Sequence, residues 1–104
     1  MKLITKTVEK LLPKIGSTQN DQDPICKVKF FNPTGAGTWF AIEYDPDTKI
    51  AYGYVSIFGD WNDELGDFSI GELEEFKGQF GLGIERDIHF TPTPLSQIKK
   101  EYTR

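Results

Sequence analysis

The alternation of apolar and polar positions divides the chain into elements. Near the start, Ile4, Val8, Leu11, Leu12 and Ile15 recur every three or four residues, the spacing that gathers side chains on one face of a helix. Lys6, Lys10 and Lys14 fall on the other side. Thr5 is placed to cap this helix. Pro13 is expected to end it at Leu12, because the residue before a proline is pushed out of the α region. Gly16 to Pro24 reads as a polar loop.

Strands follow. Ile25 to Phe31 carries Cys26, Val28 and Phe30 in alternation with Lys27 and Lys29, a pattern with one buried and one wet side. Asn32 to Gly37 has turn chemistry, and Thr38 to Tyr44, aromatic and β-branched, is a second strand. Asp45-Pro46-Asp47-Thr48 turns the chain into a third, Lys49 to Phe58. The three read as an antiparallel meander, in which Gly53 marks a bulge or a close backbone approach. Gly59 to Gly66 reads as an acidic loop. Ser69-Ile70-Gly71-Glu72 matches a capping box and opens a short helix to about Lys77, with Ile70, Leu73 and Phe76 at three-residue spacing. Gly78 to Gly83 is a glycine-rich connection, Ile84 to Phe90 alternates as a further strand, and Thr91 to Pro94 is polyproline-like. Ser96 is placed to cap a C-terminal helix with Ile98 and Tyr102 on one side. The expected fold is one α+β domain over residues 1–104: an antiparallel sheet of about four to five strands with an N-terminal helix, one short central helix and a short C-terminal helix.

Composition narrows the function classes. A hydrophobic content of 38% with 13% aromatic residues is too rich for a disordered chain. The single cysteine, Cys26, excludes an internal disulfide framework and a cysteine zinc cluster, and suits a reducing compartment. The start of the chain lacks the apolar stretch of a signal peptide, and no apolar run approaches the roughly 20 residues of a membrane helix. A soluble, cytoplasmic protein without a membrane partner is therefore expected. The net charge of −4 argues against a nonspecific nucleic-acid binder, which needs a cationic surface. That charge is unevenly spread. Residues 1–31 carry six basic and three acidic side chains, residues 32–78 two and ten, and residues 79–104 four and three. Asp60 to Glu75 holds seven acids and no base.

Several runs carry a family resemblance. Lys27-Val28-Lys29-Phe30-Phe31-Asn32-Pro33, Thr38-Trp39-Phe40-Ala41, Gly53-Tyr54-Val55, Gly66 to Leu73 and Gly81-Leu82-Gly83-Ile84-Glu85-Arg86-Asp87 together resemble a family of small bacterial proteins known as domain of unknown function 2958. The last run is the most specific, and the resemblance spans nearly the whole chain. It implies a free-standing domain carried on plasmids and other mobile elements. It implies no reaction, cofactor or catalytic residue. The run Ile57 to Asp63 departs from the pattern.

Strand alternation over 84–90 would place Glu85, Asp87 and His89 on one face about 7 Å apart, a set able to bind a divalent metal or share a proton, with Glu43 joining if its strand is adjacent. A solvated polar face accounts for the same pattern and carries more weight. Arg86 falls among Ile84 and Ile88 on the apolar side, where a structural ion pair with a buried carboxylate is favoured over an anion site. Asp60 to Gly66 is a poor calcium loop, with Leu65 and Gly71 where glycine and glutamate are required. Gly78 to Gly83 leads into a strand rather than a helix, the reverse of a dinucleotide fingerprint. Cys26 lies on the apolar side of its strand, where a thiol is usually inert. Fourteen aromatic residues, among them Phe30, Phe40, Tyr44, Tyr52, Tyr54 and Phe58, either pack as core or stack single-stranded bases on an open sheet face. Trp39 and Trp61 are candidates for an interface. The acidic stretch reads as a docking surface for a protein partner through Asp60, Trp61, Asp63, Glu64, Asp67, Glu72 and Glu75. The favoured expectation is a non-enzymatic interaction module of a mobile element, without a cofactor. Its partner class, by family context, is a host-defence or nucleic-acid-processing protein. A metal-binding protein or small enzyme on Glu85, Asp87 and His89, and a single-strand binder on sheet aromatics, are the alternatives.

Overall fold

The computed structural model describes residues 2–57 and 64–102. Five antiparallel strands form the central sheet: β2 (Val28–Phe31), β3 (Thr38–Asp45), β4 (Ile50–Ser56), β5 (Glu64–Ser69) and β6 (Glu85–Arg86), in the order β5-β4-β3-β2-β6. A two-stranded ribbon pairs β1 (Ile25–Cys26) with β7 (Thr93–Pro94). Among the described residues there are three α-helices, α1 (Lys6–Glu9), α2 (Ile70–Glu75) and α3 (Leu95–Tyr102), and one 3-10 turn at Gln79–Gly81. The α+β class and the meander of β2, β3 and β4 match the sequence expectation. The Cα radius of gyration, 13.0 Å, fits a single domain of about 100 residues.

Both faces of the sheet are covered. On one, Val28, Phe30, Ala41, Tyr44 and Ala51 pack against Leu3, Ile4, Leu12, Ile70 and Ile84. On the other, Cys26, Phe40, Ile42 and Tyr54 pack against Leu95 and Ile98 of α3. A β-bulge sorts the side chains between them. Ala41 pairs with Gly53 and Glu43 with Tyr52, so Ile42 has no partner in β4. The extra residue shifts the strand's alternation by one. Phe40 and Ile42 therefore join the α3 cluster while Tyr44 joins the other.

Several local expectations hold and others shift. Thr5 caps α1, its hydroxyl accepting from the Val8 amide, but α1 stops after Glu9. Leu3, rather than Leu11 or Ile15, enters the core: Leu3 is fully buried and the other two are about half exposed. Ser69 caps α2, accepting from the Glu72 amide. That helix ends at Glu75, and Phe76 lies exposed beyond it. The strand expected over 25–31 breaks into β1 and β2, because the Lys27 amide donates to Ala41 while Ile25 and Cys26 pair with the 93–94 segment expected to be polyproline-like. Glu64 to Gly66, expected within a loop, begins strand β5. Ser96 does not cap α3 with its own side chain. Instead the Asp23 carboxylate accepts from the Ser96 amide at 2.8 Å and from its hydroxyl at 2.7 Å, capping the first turn from a distant loop. These bonds, foremost the hydroxyl one, lower the Asp23 pKa.

Candidate functional site

The described part of the acidic stretch, 64–75, begins on the edge strand of the sheet and continues into α2. Among the described residues β5 is the outermost strand, paired to β4 on one side and without a neighbouring strand on the other. Glu64 lies opposite Val55 and Asp67 opposite Tyr52. Both side chains are exposed. The chain then passes through the Ser69 cap into α2, whose exposed positions include Glu72 in the first turn and Glu75 at the end. A carboxylate in the first turn suits the helix dipole. Among the described residues, none of Glu64, Asp67, Glu72 and Glu75 has a cationic partner within ion-pair distance. Asp60, Trp61 and Asp63, expected in the same surface, lie outside the described residues, as does Phe58. Glu74 is the inward member of the stretch. Its carboxylate accepts from the Leu3 amide at 2.9 Å and from Lys49 Nζ at 3.2 Å. Burial alone would raise its pKa, but these bonds outweigh it and the pKa is lowered.

The Glu85, Asp87 and His89 set does not form a strand face. β6 ends at Arg86. Asp87 Oδ1 accepts from the His89 amide at 3.0 Å, an Asx turn that diverts the backbone. The Phe90 amide donates to the Asp87 carbonyl, and Ile88, expected in the core, is 69% exposed. Asp87 Oδ2 lies 3.7 Å from Lys29 Nζ. Glu43 is on β3, separated from β6 by β2. Among the described residues no group of three or more His, Cys, Asp or Glu is gathered to hold a metal.

Arg86 reaches the apolar side as its register with Phe30 requires, but its partner there is a carbonyl, not a carboxylate. Its guanidinium donates to Leu3 O at 3.2 Å. Phe30, Phe40, Tyr44 and Tyr54 are at most 5% exposed and pack as core. Phe40 is the hub of one aromatic group, with ring centroids 5.1 Å from Tyr102, 5.7 Å from Phe90 and 6.4 Å from Tyr54. Lys29 lies over this group, 5.7 Å from the Tyr102 ring centroid. Cys26 is fully buried. Burial first, and the Asp23 charge second, push its thiol up to about 12. At pH 8 the folded protein should therefore leave Ellman's reagent essentially unreacted over an hour, whereas the urea-unfolded chain should release one equivalent of chromophore within minutes. Rapid release from the folded protein would contradict the burial.

The family model described as protein of unknown function, DUF2958, matches residues 3–102. The chain belongs to this family. Among curated proteins and among solved structures, nothing matches it. Family DUF2958 carries no assigned activity in its description, so the chemistry rests on the residues themselves. Two features escaped the sequence reading. One is the role of Glu43, named from sequence only as an added member of the Glu85, Asp87 and His89 set: it is 3% exposed and its carboxylate holds the loop at 16–18. The other is a cleft lined by Lys2, Lys6, Lys10 and Lys49 together with Tyr44, Glu9 and Glu74. The periodic lysines were visible as the polar side of a helix, but nothing local indicated that Lys49 and Tyr44 would meet them. Among the described residues no helix is long and apolar enough to cross a membrane.

Proposed function

We propose that this DUF2958 protein is a non-enzymatic interaction module that docks a basic protein surface on the edge formed by β5 and α2. One observation carries the reading: among the described residues, Glu64, Asp67, Glu72 and Glu75 are exposed and without cationic partners along an outer strand and the helix that follows it. Uncompensated carboxylates on a strand edge discourage pairing with other strands and steer a cationic partner into register. The mobile-element setting implied by the resemblance makes a host-defence or nucleic-acid-processing protein the sensible partner class. The test is affinity capture from the native host on immobilised wild type and on the variant E64K/D67K/E72K/E75K, with circular dichroism confirming that both are folded. A partner eluted by moderate salt from wild type, and depleted about tenfold or more on the variant, is the expected result. Equal retention on both surfaces would remove the role given to this edge.

A further inference from the structure

The lysine-lined cleft adjoins the proposed docking edge at α2 but includes none of Glu64, Asp67, Glu72 and Glu75. It has a volume of about 320 Å³ and lies between α1, the Asp45–Lys49 turn and α2. Four lysines line it, Lys2, Lys6, Lys10 and Lys49, against two carboxylates, Glu9 and Glu74. That is a local surplus of two positive charges on a chain whose net charge is −4. Glu74 is already engaged by Lys49 and the Leu3 amide. Among the described residues, Lys2, Lys6 and Lys10 have no carboxylate within ion-pair distance. Lys2 is near enough to the Glu74 carboxylate to help lower its pKa, but Lys6 and Lys10 carry like charges that repel one another, and a bound anion relieves that repulsion.

Tyr44 supplies an independent pointer. It is 5% exposed, on β3. Among the described residues its hydroxyl has no hydrogen-bond partner, yet no unpartnered polar side-chain atom there is sealed from solvent. The hydroxyl is therefore reached by solvent, and Tyr44 lines this cleft and the one that adjoins it across Pro46. A buried phenol normally finds a partner. This one lies on a cleft lined by Lys2, Lys6, Lys10 and Lys49 together with Glu9 and Glu74. Burial, then the charges of Glu9, Glu74 and Asp45, raise its pKa, so it stays a donor at neutral pH.

We infer that this cleft is a binding site for a phosphate group of a small molecule, held by Lys2, Lys6 and Lys10 and by the Tyr44 hydroxyl. Every group named is a donor, and a phosphate offers acceptors on all sides. The volume sits at the lower end of small-ligand sites, which span about 300–1,000 Å³, enough for a phosphate or diphosphate with a compact organic group.

The probe is inorganic pyrophosphate, titrated by calorimetry at fixed ionic strength into wild type, K6Q/K10Q, Y44F and the charge-matched control K77Q/K100Q. Wild type should bind saturably with one site. Affinity should fall about tenfold or more in K6Q/K10Q and about threefold or more in Y44F, and stay within about twofold in the control. Because the Tyr44 hydroxyl bonds nothing among the described residues, Y44F should melt like wild type without ligand, separating recognition from stability. Three results would each overturn the assignment: no saturable binding by wild type, equal loss in K77Q/K100Q, or wild-type affinity in both cleft variants.

Discussion

Replacing Gly53 with alanine should be among the most destabilising single changes in the chain, at about 4 kcal/mol or more. A β-carbon built on Gly53 lies 1.7 Å from the Phe40 carbonyl oxygen, 2.8 Å from the Phe40 carbonyl carbon and 3.1 Å from Ala41 Cα. All three are backbone atoms of the neighbouring strand, so no rotamer change makes room. The strands must separate at the bulge that sorts Phe40, Ile42 and Tyr44 between the two faces. Domains of this size have about 5–15 kcal/mol of stability in total, so the variant should lose a large share of it. Gly66, the residue opposite Gly53 on β5, is the matched control. Nothing lies within 4 Å of a β-carbon there, and removing a flexible glycine from a strand should stabilise by about 0.5 kcal/mol. Urea unfolding of G53A, G66A and wild type checks both. Equal midpoints for G53A and wild type would mean that β3 and β4 do not approach as described.

Gly53 also shows why part of the fold could be read from sequence. A glycine inside an otherwise β-branched and aromatic strand signals close approach, because a residue with no side chain gives up packing and must be explained. The caps at Thr5 and Ser69 were legible for a similar reason: each is a local chemical match between a hydroxyl and an amide three residues on. What failed was the extension of periodicity past the point where a side chain captures the backbone. Ile84 to Phe90 alternates well, but Asp87 takes the His89 amide and ends the strand, so the three residues expected on one face are not aligned along it. The α3 cap was misplaced because the carboxylate that closes it comes from Asp23, remote in sequence. The same limit hid the lysine cleft. Lys6 and Lys10 are helix neighbours, but Lys49 and Tyr44 reach them only through the sheet and its turn. The acidic stretch, by contrast, is local in sequence, and its four described members from the docking set stay exposed along the edge. Glu74 departs because Leu3 and Lys49 offer it donors.

Glu43→Gln should cost about 2–4 kcal/mol at pH 7, and the loss should shrink in acid. Glu43 is 3% exposed. Its Oε1 accepts from the Gly16 amide at 2.7 Å and its Oε2 from the Thr18 amide at 2.8 Å. Oε2 also accepts from the Thr18 hydroxyl. Three donors converge on one carboxylate and hold the loop at 16–18 against β3. Glutamine has a single acceptor oxygen, and its NH₂ would face a donor it cannot satisfy. The pKa follows from the same geometry. Burial alone would raise it, but the Thr18 hydroxyl bond and the Gly16 and Thr18 amide bonds outweigh burial, and it is lowered. The unfolded chain, with a glutamate pKa of about 4.3, then takes up the proton at higher pH than the folded protein. The contribution of Glu43 is fully present above the unfolded pKa and is lost as pH falls through the folded one. Asp23 and Glu74 also have lowered pKa values and act in the same direction, so the informative quantity is the gap between wild type and E43Q. Urea midpoints measured from pH 7 downward should show a constant gap to about pH 5.5, narrowing below about pH 4.5. A gap that widened in acid would mean that the buried group is stabilised as the neutral acid, and that the three donors do not hold a carboxylate.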